Sequence, residues 1–156
     1  VDNGRLENTQ EEKVLLEGLA RFQSTLKHSK IKISFESDFE PVRLAKFIKQ
    51  LEPECFGITY DIGNSASLGY QPDKEIDAYG HRIINVHVKD RVYGGGTVPL
   101  GQGDADITAA LQALHRIGYG GNYILQTARA ENDDHVGTLC HYRDQVSEWL
   151  IAVENN

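Results

Sequence analysis

The stretch Ile83-Ile84-Asn85-Val86-His87-Val88-Lys89-Asp90-Arg91 decides the fold. It alternates as far as Lys89. Ile84, Val86 and Val88 fall on one side of an extended strand and Asn85, His87 and Lys89 on the other, because successive strand side chains take opposite faces. An apolar back with a polar, ionisable front is unusual for a buried strand. It suits a strand of a parallel barrel, with its back on helices and its front toward a wet, functional interior.

Working outward, the neighbouring segments repeat the theme. Gly57 to Asp61 reads as a strand with Thr59 and Asp61 on its polar face, followed by a loop (residues 62–69) and a short helix from Pro72 to Tyr79. Upstream, Lys32 to Glu36 alternates, with Ile33 and Phe35 apolar and Ser34 and Glu36 polar. A helix opens at Pro41, buries Leu44, Phe47, Ile48 and Leu51, and stops at Pro53. Thr9 and Glu12 have capping-box spacing ahead of a helical pattern to about His28, with Leu15, Leu19, Phe22 and Leu26 as its apolar stripe.

Downstream, a glycine-rich connection (residues 94–103) leads to Asp106, which caps a helix carrying Ile107, Ala110, Leu111, Leu114 and Ile117. Gly118 ends it. Tyr123 to Gln126 is the last strand, and a final helix turns Leu139, Tyr142, Val146, Trp149 and Leu150 inward. This strand–helix alternation is the mark of right-handed parallel α/β units. Four strands are read, and a residue able to do chemistry ends each, on the face opposite the apolar positions: Glu36, Asp61, His87 and Gln126. Parallel α/β folds gather functional groups at the carboxyl ends of strands.

The chain has 156 residues, room for a single domain (1–156) with a core of its own. No apolar run approaches a membrane span, and no charged-then-apolar leader opens the sequence. Cys55 and Cys140 suggest no disulfide framework and fit a reducing cytoplasm. The net charge of −7 argues against a nucleic-acid partner, whose phosphates need a basic face. A parallel barrel closes with eight strands, so four leave two raw edges. The missing strands come from an N-terminal half, a partner chain or a second copy; otherwise the sheet is open. The first is the reading adopted, helped by the absence of Met even at position 1.

A glutamate, an aspartate, a histidine and a fourth oxygen donor (Gln126) converging at a barrel mouth suit a divalent cation such as Mn²⁺, Mg²⁺, Co²⁺ or Zn²⁺. The reaction such a site serves is proton transfer beside a sugar carbonyl, through an enediolate.

The pieces Phe35-Glu36, Tyr60-Asp61-Ile62-Gly63-Asn64, His87-Val88-Lys89-Asp90 and Gly101-Gln102-Gly103 resemble the xylose-isomerase-like TIM-barrel superfamily, in its C-terminal half, over about Ile31 to Gln126. The resemblance implies TIM-barrel (β/α) units with four parallel strands and the activity of a sugar or sugar-phosphate isomerase or epimerase. It implies Glu36, Asp61 and His87 as metal ligands, with Glu36 also the catalytic proton carrier. Asn64, Lys89 and Arg91 would touch substrate, a small sugar or sugar phosphate. The family's last strand commonly ends in a second glutamate, where this chain has Gln126. An amide coordinates through oxygen but cannot act as a base, so the resemblance leans to one-base isomerisation over two-base epimerisation. Alternatives are a non-catalytic barrel fragment with a binding or assembly role, and an endonuclease IV-like hydrolase.

Blander readings stand beside these. Glu36 and Asp61 could be caps just past strands, His87 a hydrogen-bonded barrel histidine, and Gln126 a partner of Asn122 or Asn85. Lys89 and Asp90 could form a plain ion pair. Gly94-Gly95-Gly96 reads as a mobile lid rather than a phosphate loop, because Asp104 and Asp106 repel an anion. Arg129 follows the last strand, where barrels often hold phosphate. His135 and His141 are read as surface residues, and His28, His81 and His115 show no partner pattern.

Overall fold

The structure, a computed structural model, describes residues 6, 8–130 and 133–155. Its elements are α1 (Thr9–Ala20), α2 (Gln23–Ser29), β1 (Ile33–Phe35), α3 (Pro41–Ile48), β2 (Phe56–Asp61), α4 (Ile62–Ser67) and α5 (Pro72–Tyr79). A 3₁₀ turn (Gly80–Arg82) leads to β3 (Ile83–Val88), β4 (Asp90–Arg91) and β5 (Thr97–Val98). Then come α6 (Ile107–Arg116), β6 (Asn122–Leu125) and α7 (His135–Glu154). The main sheet has four strands in the order β1-β2-β3-β6, parallel throughout. β4 and β5 form a small antiparallel hairpin. Among the described residues, no helix is long and apolar enough to cross a membrane.

The core lies on the helix side of the sheet. Ile58 and Tyr60 of β2 and Val86 and Val88 of β3 are buried there against Leu44, Phe47 and Ile48 of α3, Ile76 and Tyr79 of α5, and Ala110, Leu111 and Leu114 of α6. Pro41 starts α3 and Glu40 caps it, accepting from the N–H groups of Val42 and Arg43. Asp106 caps α6 through Ala109 N–H, and Gly118, at φ +70°, follows its end. Leu51, expected in α3, is buried just beyond it. Arg82 is buried too, and its guanidinium donates to the carbonyls of Ile48 (2.7 Å), Leu51 (3.0 Å) and Phe56 (2.9 Å). It ties the end of α3 to the start of β2.

Several expectations need correction. The first helix is interrupted: Arg21 and Phe22 bond back three residues to the carbonyls of Gly18 and Leu19, a tightening that closes α1 before α2 begins. Phe22 is consequently exposed. The cap of α1 is Asn8, whose Oδ1 accepts from Gln10 and Glu11, in place of a Thr9–Glu12 box. The segment after β2 is a helix, α4, where a loop was expected. In α7, Tyr142, Val146 and Val153 are buried, whereas Leu139 stays exposed.

β3 departs from simple alternation. Ile58 stands opposite Ile83 and Thr59 opposite Asn85, so Ile84 falls in a bulge with no partner of its own. A Cβ on Gly57 would meet the Ile84 side chain at 2.6–2.7 Å. Gly57 alternates with core-facing Ile58, so Ile84 lies on the polar side of the sheet, and Ile83 joins the core in its place. Glycine is required at position 57 because Ile84 occupies the space.

Candidate metal centre

Asp61 ends β2 and at the same time caps α4. Its Oδ1 accepts from Asn64 N–H at 2.8 Å. The cap fixes the rotamer of a carboxylate that is only 4% exposed and directs its second oxygen, Oδ2, into the sheet's open end. His87, opposite Asp61 in the β2–β3 register, brings Nδ1 to 3.6 Å from Asp61 Oδ2 and 3.3 Å from Glu36 Oε2. One donor atom from each of Glu36, Asp61 and His87 lies within 4.8 Å of the others.

The donor set passes a further test of fit. Asp61 Oδ2 and His87 Nδ1 are both buried without a hydrogen-bond partner in the structure. Buried polar atoms are rarely left so, and two of them facing one point is what a cation would resolve. Two carboxylate oxygens and an imidazole nitrogen suit a divalent ion of intermediate hardness.

Asn64 organises both acids. Its backbone N–H holds Asp61, its Nδ2 donates to Glu36 Oε1 at 2.7 Å, and its Oδ1 accepts from Arg91 Nη1 at 2.8 Å. Each carboxylate thus has one oxygen tied to Asn64 and the other turned toward His87. Expected as substrate contacts, Asn64 and Arg91 spend these atoms on the site itself; Arg91 also donates to Gly95 O through Nε and Nη2. Gly63 lets α4 approach the end of β3, since a Cβ there would stand 2.9 Å from the Lys89 carbonyl oxygen.

Lys89 points into the same site. Its Nζ donates to Gln126 Oε1 at 2.8 Å and lies 3.6 Å from Asp61 Oδ2. The blander alternatives, a Lys89–Asp90 pair and Gln126 bonded to Asn122 or Asn85, give way to contacts of Lys89 with Gln126 and Asp61. Arg129 is exposed in the segment after β6, and among the described residues no hydrogen bond or ion pair joins it to Glu36, Asp61 or His87. His135 and His141 are exposed, as are His28, His81 and His115.

Asp90, fully buried, was missed as an organiser. It accepts from Gly101 (2.8 Å), Gly103 (2.9 Å) and Ala105 (3.2 Å), while Asp104 accepts from Tyr93 N–H and Gly94 N–H donates to Ser67 O. The glycine-rich connection is fastened to the sheet and to α4, so the mobile-lid expectation gives way to an anchored hairpin. The signal was present in the glycines at 101 and 103, whose amides reach a buried carboxylate. A second missed group is Glu75 of α5, only 2% exposed, which accepts from Ser65 Oγ at 2.7 Å and Tyr79 Oη at 2.6 Å. Burial pushes the Glu75 carboxyl up, and burial with the neighbouring Glu75 charge pushes the Tyr79 phenol well up.

An open cavity of about 550 Å³ adjoins the centre, with Glu36, Asn64 and Arg91 at its polar side and Leu15, Phe35, Phe47 and Leu68 as an apolar wall. That size suits a small molecule.

Comparison with known proteins agrees with this geometry. The family model described as xylose isomerase-like TIM barrel matches residues 5–148. The L-ribulose-5-phosphate 3-epimerase UlaE of Salmonella typhi is 30% identical over 97 residues, 62% of this chain and 34% of the relative. Among solved structures, an L-ribulose 3-epimerase superposes with a TM-score of 0.77 at 16% identity, over 98% of this chain and 58% of the other. The IolI protein with a bound zinc atom gives 0.74 at 16% identity, over 95% and 59%. The chain thus spans about a third of the curated relative and under three fifths of these solved neighbours. Four parallel strands, where the neighbours have longer chains, are consistent with a partial barrel. By sequence match and by architecture, this chain belongs to the xylose isomerase-like TIM barrel family.

Proposed function

We propose that this chain carries the metal-binding part of a sugar or sugar-phosphate isomerase or epimerase working through an enediolate. One observation carries the reading: Glu36, Asp61 and His87, from three separate strands, converge with Asp61 Oδ2 and His87 Nδ1 buried and without a hydrogen bond. Glu36, Asp61 and His87 would hold Mn²⁺, Mg²⁺, Co²⁺ or Zn²⁺, with Gln126 Oε1 as a fourth donor in place of its bond to Lys89. When bound, such a cation supplies Lewis-acid polarisation of a carbonyl and its neighbouring hydroxyl.

The remaining steps belong to the chain's own side chains. The Glu36 carboxylate takes a proton from the carbon beside the carbonyl, while the Asn64 amide keeps it oriented. The same carboxylate returns the proton to the former carbonyl carbon while the hydroxyl proton passes between the two enediolate oxygens, completing an aldose–ketose exchange with one base. Lys89 holds a substrate oxygen through its ammonium, and Arg91 and Asn64 border the cavity in which the rest of the sugar lies. Arg129 is proposed as a contact for a phosphate group where the sugar carries one. Gln126 cannot take a proton, so inversion at one carbon needs an acid from elsewhere.

Among the described residues, β1 and β6 end the sheet with unpaired edges, and Ile124, opposite His87, is 44% exposed. We propose that further strands, from an N-terminal half, a partner chain or a second copy, cover this face. The deciding experiment incubates the protein with Mn²⁺ and a panel of ketopentoses and their 5-phosphates in D₂O, following loss of the carbon-bound proton signal by NMR. Exchange that disappears in Asp61→Ala supports the reading. No metal binding and no exchange with any sugar would sink it.

A further inference from the structure

A buried carboxylate sits directly beneath the centre without being part of it. Glu75 Oε1 gathers the hydroxyls of Ser65 and Tyr79, and the buried Tyr60 hydroxyl faces the same carboxylate. Keeping an acid here is costly, because desolvation disfavours its charge. An apolar side chain would fill a helix–sheet contact at less cost. The groups this acid touches suggest what offsets the penalty.

Ser65 lies one residue after Asn64, in the first turns of the six-residue helix α4. Asn64 is the residue whose N–H holds Asp61 and whose amide holds Glu36. Tyr60, on the other side, immediately precedes Asp61 in β2. A void of about 10 Å³, room for about one water, is lined by Tyr60, Ser65 and Tyr79 together with Glu36, Asp61 and Asn64. The hydrogen-bond partners of Glu75 and the two acids proposed as metal ligands therefore line one void.

A helix of six residues is too short to hold its own orientation. α4 needs an external tie to keep Asn64 in register with both acids, and the Ser65–Glu75 bond provides one from the neighbouring helix. We infer that Glu75 is a positioning residue of the metal centre, acting through Ser65 on Asn64 and so on the free oxygens of Glu36 and Asp61. This inference rests on the metal reading above.

The test is calorimetric titration with Mn²⁺ alone, well below the melting temperature, on the wild type, Glu75→Ala, Ser65→Ala and Glu75→Gln. Leu111→Ala serves as a control, since Leu111 is fully buried in α6 outside this network. Glu75→Ala and Ser65→Ala are expected to weaken Mn²⁺ binding about tenfold or more. Glu75→Gln, which keeps an acceptor for Ser65, stays within about threefold of the wild type. Leu111→Ala melts earlier and binds as the wild type does. If Glu75→Ala does not fold, Ser65→Ala decides. Unchanged Mn²⁺ affinity in the folded variants, or an equal loss in Leu111→Ala, overturns the inference while leaving the metal site standing. A wild type that takes no Mn²⁺ overturns both.

Discussion

The Asn64 side-chain amide donates to Glu36 Oε1 at 2.7 Å, and this one bond settles which oxygen of Glu36 faces His87. Without it, a carboxylate at the end of a three-residue strand, and more than a third exposed, would have many rotamers open to it. The bond converts a surface acid into a placed one.

Asn64→Ala should therefore weaken Mn²⁺ binding about tenfold, because Glu36 and Arg91 both lose their tie while the backbone N–H on Asp61 survives. Asn64→Asp should weaken it further, by setting a second negative charge against Glu36 Oε1. Isothermal titration with Mn²⁺ measures both, and Asp61→Ala, which removes a donor outright, sets the scale for complete loss.

Gly57→Ala should destabilise the fold by about 1–3 kcal/mol, since the new methyl group would overlap the Ile84 side chain. The overlapping atoms belong to a β-branched chain with little rotamer freedom. Combining Gly57→Ala with Ile84→Ala should recover much of that loss, and urea denaturation of the two singles and the double gives the coupling directly. Additive losses would show that Ile84 does not occupy the space in solution.

Arg82→Ala should cost about 3 kcal/mol, because three carbonyls at the junction of α3 and β2 lose a charged donor together. Arg82→Lys should recover part of it, as one ammonium cannot reproduce the spread of the guanidinium fork. Denaturant midpoints at neutral pH compare the three proteins.

Glu75 gives a pH signature. Burial raises its carboxyl above the ordinary 4.5 in the folded chain. A raised acid favours the fold fully below its unfolded value, and that contribution disappears as pH climbs through the folded value. Glu75→Gln, which never ionises, should thus melt higher than the wild type at pH 8, and the gap should narrow as pH falls toward 4.5. Melting curves across that range check it; a gap that widens in acid would reverse the sign.

Much of the architecture could be read from local pattern. Alternation in Lys32–Glu36, Gly57–Asp61 and Tyr123–Gln126 marked strands that the structure holds in one parallel sheet, and Pro41, Asp106 and Gly118 marked helix limits. Where alternation misled, the cause was non-local. Ile84 changes sides because β3 must bulge to stay in register with β2, which depends on a partner strand 26 positions away at Ile58. The helix α4 was invisible because Ile62–Ser67 has little helical propensity; it forms on the Asp61 cap and the Ser65 tie.

By itself, the order of residues determined which side chains stand at the ends of strands: strand periodicity is a local property, so Glu36, Asp61 and His87 announce themselves as a polar series. Only the tertiary structure decided what those ends do to one another. The two oxygens directed at His87, the capture of Gln126 by Lys89, and the burial of Glu75 and Asp90 all arise from contacts between segments distant in sequence. Such contacts are set by how helices and strands pack, which no window of neighbouring residues encodes.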